Sequence, residues 1–105
     1  MPRTVLEYTV FYMVEDWEIE AHKLVDAMQK LGNPHRQVMK YFLLYRSVGD
    51  LLAVRELKEK YGIKDAERVI IELINKGLLE KGDGCINLPP PLRRYVGRKK
   101  AKITL

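Results

Sequence analysis

The sequence predicts a mainly α-helical domain with a small β-hairpin, an α+β fold that carries an extra N-terminal helix. Three observations predict it. Apolar residues recur at helical spacing through residues 34–48, 54–61 and 66–74. Gly62 and Gly77 stand where two of those stretches stop, as glycine does at helix C-termini. Lys81-Gly82-Asp83-Gly84 supplies turn chemistry between two short strand-like runs.

Residues 1–32 read as an N-terminal dimerisation segment. Thr4-x-x-Glu7 matches a capping box, in which each side chain satisfies an orphan backbone donor. Leu6, Val10, Met13, Trp17, Glu20, Leu24, Ala27 and Leu31 follow at alternating spacings of 4 and 3, with Glu20 the one polar fault. A continuous helix from Thr4 to Leu31 would be about 40 Å long. The body does not need that length, so a two-fold homodimer is expected, with Leu6, Val10, Met13, Trp17, Leu24 and Leu31 in its interface. The competing reading is a strand over Val5–Val14, dense in β-branched and aromatic residues, followed by a helix Trp17–Leu31 capped by Asp16. No Gly, Pro or Asn separates those two pieces.

Gly32-Asn33-Pro34 is a break. Pro34 suits the first turn of a helix capped by Asn33, and that helix is expected to run to Val48 and stop at Gly49. Its apolar face is wide: Val38, Tyr41, Phe42 and Tyr45, with Met39, Leu43 and Leu44 further round. A face that wide suggests cover on two sides. Leu51-Leu52-Ala53 is a strand candidate. Val54, Leu57 and Tyr61 form one face of a short helix. Asp65 is a candidate cap for the next helix, whose face is Ala66, Val69, Ile70, Leu73 and Ile74. Leu78–Glu80 and Cys85–Leu88 are the hairpin strands.

This order, with Leu73-x-x-x-Gly77-Leu78-Leu79 running from helix into hairpin, resembles the winged helix-turn-helix family over residues 34–88. The resemblance implies a winged-helix domain over 33–88. It also implies DNA contact by the second helix of the motif. The positions that would face outward are Lys64, Asp65, Glu67, Arg68, Ile71 and Asn75. Arg68 and Lys64 suit guanine or phosphate, Asn75 suits the backbone, and Lys81 stands at the wing. Asp65 and Glu67 depart from the small hydroxyl residues usual there, and Ile71 is apolar where solvent or DNA should be.

Pro89-Pro90-Pro91 favours a stiff polyproline segment, and the tail after it is expected to be extended and mobile. Its cations are Arg93, Arg94, Arg98, Lys99, Lys100 and Lys102, with no acid among residues 89–105. Net charge is −3 over residues 1–32, +2 over 33–88 and +6 over 89–105. Positive charge of one sign in an arm is the electrostatic footprint of phosphate binding. Tyr95 among those cations would stack on an unpaired base.

Catalytic constellations are absent from the sequence. His22 and His35 lie on different segments, and Cys85 is the single cysteine, so no cysteine-based zinc site or internal disulfide is possible. Ser47 has no assigned base. Gly82-x-Gly84 is a turn with no helix after it to hold a phosphate. We therefore expect no enzyme, no cofactor and no metal. No apolar run reaches membrane-spanning length, and the first residues do not read as a signal peptide, so a cytoplasmic protein is expected. Few Ser, Gln and Asn beside many Lys, Arg and Glu lean thermophilic. Two roles remain. One is a DNA-binding transcription regulator or chromatin-associated factor, held mainly by wing and tail, with RNA as a further ligand. The other is a protein-interaction accessory subunit of a transcription, replication or ribonucleoprotein complex, docking through the face of Ile71, Asp65 and Glu67.

Overall fold

Five helices surround a three-stranded antiparallel sheet in a computed structural model that describes residues 16–98 together with Ile103 and Leu105. In order these are α1 (Asp16–Gln29), α2 (His35–Tyr45), β1 (Ser47–Gly49), α3 (Asp50–Glu59), α4 (Ala66–Asn75), β2 (Glu80–Lys81), β3 (Cys85–Asn87) and α5 (Pro90–Arg98). The sheet order is β1-β3-β2, so the central strand is the last in sequence. Val48 faces Ile86 across one ladder and Lys81 faces Ile86 across the other. Among the described residues no helix is long and apolar enough to cross a membrane.

The core joins all these layers. Phe42, Val38 and Met39 of α2 meet Leu57 of α3, Val69 and Leu73 of α4, Ile86 of β3 and Leu92 of α5, all buried in one cluster. Leu73 and Gly77 then build the end of α4. Gly77 takes φ 77°, its N–H donates to the Ile74 carbonyl at 2.9 Å, and the Leu78 N–H donates to the Leu73 carbonyl at 3.0 Å. This pair of bonds satisfies two carbonyls left over at the helix end, and buried Leu78 packs where such a motif places its apolar contact. Gly77→Ala is expected to cost about 1–2 kcal/mol, because a Cβ opposes the left-handed conformation. Urea denaturation checks it, and an unchanged midpoint would contradict the assignment.

Four expectations are corrected. α2 ends at Tyr45, short of Val48, because Arg46 adopts φ 66° and Ser47–Gly49 pairs with Cys85–Asn87. Leu51–Ala53 is helix, not strand: α3 already starts at Asp50. Leu78 and Leu79 are buried in the bend after α4, and β2 comprises only Glu80–Lys81. The largest change is at the prolines. Residues 90–98 form α5 where an extended arm was expected. Pro90 and Pro91 fall in its first turn, where a missing N–H loses no helical bond and the fixed φ already suits the helix. Leu92 points into the core with no exposure.

Neither expected cap forms. Pro34, not Asn33, holds the cap position of α2 without a side-chain bond. Asp65 holds the cap position of α4, but its carboxylate goes to Arg68 instead of a backbone N–H. The choice between a long N-terminal helix and a strand over residues 4–14 lies outside the described residues, as do Leu6, Val10 and Met13.

Candidate functional site

Helices α3 and α4, with strands β2 and β3, border a groove of about 480 Å³. Leu51 and Val54 of α3, Ile70, Ile71 and Ile74 of α4, and Ile86 of β3 give it an apolar lining. Helical spacing explains why these side chains share one channel. Residues 51 and 54 stand one turn apart on α3, and residues 70, 71 and 74 cover the facing stripe of α4. Leu51 is 80% exposed and Ile71 56% exposed, so the apolar surface is presented to solvent. Leu52, beside it on α3, is also exposed. Contiguous exposed apolar surface with a polar rim marks an interaction site more often than a lone exposed side chain does.

The rim is nearly self-neutralised. Lys81 Nζ donates to the Asp50 carboxylate at 3.1 Å, tying the hairpin to the start of α3. That bond, and a second from the Leu51 N–H at 2.7 Å, hold the Asp50 carboxyl below its ordinary value. Lys58 and Glu67 face each other at 3.9 Å between α3 and α4. Arg55, also on the rim, has no ion pair among the described residues. A surface of this kind suits an apolar partner segment better than a polyanion.

On the other side of α3, the Tyr41 hydroxyl donates to Glu56 Oε1 at 2.5 Å. Burial, then that bond, push the phenol well above its ordinary value. Glu56 is shifted down by the Tyr41 bond and by Lys60 at 3.0 Å. Glu72 is likewise shifted down by His35, whose Nε2 lies 2.7 Å from Glu72 Oε1 and joins α2 to α4. A carboxylate held below its unfolded value stabilises the fold above that value and loses the contribution as pH falls through the folded one. Asp50, Glu56 and Glu72 therefore contribute in full above the ordinary 3.8 and 4.5 and lose it below. The melting temperature is expected to fall from about pH 5 to about pH 3, and Glu56→Gln should flatten part of that slope. A flat profile in the native sequence would contradict these pairings.

The residues expected at DNA are divided by the structure. Arg68 lies between Asp65 at 3.1 Å and Glu72 at 3.6 Å, so its charge is engaged along α4 itself. Lys81 is in β2, paired with Asp50, and not at the hairpin tip. Lys64 and Asn75 are exposed at opposite ends of α4. Arg93 and Arg94 are exposed on α5, and Arg98 is its last residue. Lys99, Lys100 and Lys102 lie outside the described residues.

The expected dimer seam also changes. Arg94 lies over the Trp17 ring at 5.3 Å, and Leu24 and Leu31 pack on the chain's own core. α1 is thus held by α5 and α2 of the same chain, which removes these three residues from a free seam. Ile71 alone of the interface residues described here stands open to solvent. Leu51 and Leu52 were missed as surface residues because they were read as a strand. The signal was present: Leu51 stands three residues before Val54 and extends that helical face one turn earlier.

No curated protein matches the chain. A family model described as PolB1 Binding Protein 2 matches residues 33–94. The matched stretch takes in α2, the sheet, the α3–α4 groove and the start of α5, including the anchor Leu92. With more than half of its 105 residues matched in this way, the chain belongs to the PolB1 Binding Protein 2 family.

Proposed function

We propose that this chain is a non-catalytic accessory subunit that binds DNA polymerase B1 through the α3–α4 groove. The family's printed name supplies the partner. The single observation that carries the surface is the open apolar channel around Leu51 and Ile71, with both rim acids, Asp50 and Glu67, already paired. The order α2-β1-α3-α4-β2-β3 supports reading residues 34–88 as a winged helix turned toward protein recognition. Arg68 engaged by Asp65 and Glu72, and Ile71 at the centre of the outward face, speak against base readout by α4.

Isothermal titration of the full chain into purified DNA polymerase B1 tests the reading. Saturable binding with a negative heat-capacity change is expected, since apolar surface leaves water. No heat and no co-elution at micromolar concentrations would overturn it.

A further inference from the structure

We propose that the outward face of α5, together with Arg46, binds the phosphodiester backbone of duplex DNA. α5 turns Leu92 into the core and leaves Arg93 and Arg94 exposed. Arg46 joins them from another element. It ends α2 with φ 66°, a conformation rare for a side chain with a Cβ. Its N–H donates to the Phe42 carbonyl at 2.7 Å, and its carbonyl accepts the Leu88 N–H at 2.8 Å. So held, its guanidinium lies against α5: a methyl group on Gly97 would stand 3.5 Å from Arg46 Nη1.

Among the described residues none of these three arginines is in an ion pair. Residues 89–105 hold six cations and no acid; the acids that the fold brings toward α5 belong to α1, which packs against it and carries Asp16, Glu18, Glu20 and Asp26. Strained backbone of the kind at Arg46 clusters at ligand sites, and here it puts a third guanidinium against the helix that carries Arg93 and Arg94. Guanidinium forks match phosphate oxygens, and a phosphate contact needs no apolar anchor, which this face lacks.

The aromatic residues nearby favour duplex over single strand. Tyr95 is engaged edge-on with His22 at 5.2 Å, and Arg94 covers Trp17. Neither ring is presented as a stacking platform for unpaired bases. This corrects the stacking role expected for Tyr95. The site is separate from the polymerase groove, none of whose lining residues belongs to α2 or α5, and its test needs no polymerase.

Fluorescence anisotropy of a labelled random-sequence duplex, titrated with the full chain over a salt series, tests the proposal. Binding is expected at low salt. The log–log salt slope should shrink by about 1.8 in Arg93→Gln/Arg94→Gln and by about 0.9 in Arg46→Gln. Lys58→Gln, on the groove rim, should leave it unchanged. Circular dichroism reports whether each variant folds, and Arg46→Gln carries the test if the double variant does not. Absence of binding by the full chain at low salt would overturn the proposal. So would an unchanged slope in a folded variant, or tighter binding to the single strand of the same length. Equal competition by polyglutamate at matched charge would assign the face to an acidic protein instead and overturn it too.

Discussion

Ile71→Arg is expected to weaken binding to DNA polymerase B1 by at least about thirtyfold while the chain stays folded. The side chain is 56% exposed in the free protein, so the substitution removes little packing. Surface changes of this kind usually stay within about 0.5 kcal/mol of the original stability. In the complex the same position would be the centre of a dry apolar channel lined by Val54, Ile70, Ile74 and Ile86. There the isoleucine contact is lost, and a guanidinium must be desolvated with both rim acids, Asp50 and Glu67, already paired. Truncations at the centre of an interface commonly cost 2 kcal/mol or more, which is about thirtyfold in Kd. Leu51→Arg should act in the same direction from the opposite wall. Lys64→Ala, on the loop before α4, should change Kd less than about threefold, as rim charges usually do. Titration calorimetry reads the affinities and a thermal melt reads the fold. A folded Ile71→Arg that binds within about twofold of the original would move the docking surface elsewhere on the molecule.

The helical face Val69-Ile70-Leu73-Ile74 and the stop at Gly77 were legible in the sequence because both are local. A 3.6-residue period and a left-handed cap need only neighbours along the chain. The partners of β1 were not legible. Val48 is a strand residue only because Ile86, far along the chain, lies opposite it. Locally it continues an apolar helix, and tertiary pairing overrides that preference. α5 failed for a related reason. A proline run reads as a breaker, yet prolines at the first helical positions forfeit nothing, and tertiary contacts such as the burial of Leu92 carry the chain on as helix. Ile71 was legible as an apolar residue in the wrong place. The groove around it was not, because its other wall depended on α3 starting at Asp50.

Leu92→Ala is expected to destabilise the protein by about 2–5 kcal/mol, the range for deleting buried leucine methyls in a packed core. Leu92 has no exposed surface and belongs to the same cluster as Phe42 and Leu73. The other contacts of α5 lie nearer the surface. Tyr95 meets His22 edge-on, and Arg94 lies over Trp17. Contacts of those types contribute about 0.5–1.5 kcal/mol each and do not replace a buried anchor. For a domain whose total stability is about 5–15 kcal/mol, the loss is a large share of the whole. Trp17 is the only tryptophan, so its fluorescence reports on the α1–α5 contact directly, while circular dichroism follows all helices together. If both signals shift to lower urea together, α5 unfolds with the body and is part of its cooperative core. If the Trp17 transition separates and comes first, α5 detaches before the body melts, and Arg93 and Arg94 leave with the helix that Arg46 lies against. A loss below about 0.5 kcal/mol would mean that Leu92 is not a core residue. The tail would then be an arm after all, its charges spread along a chain instead of gathered on one helix face.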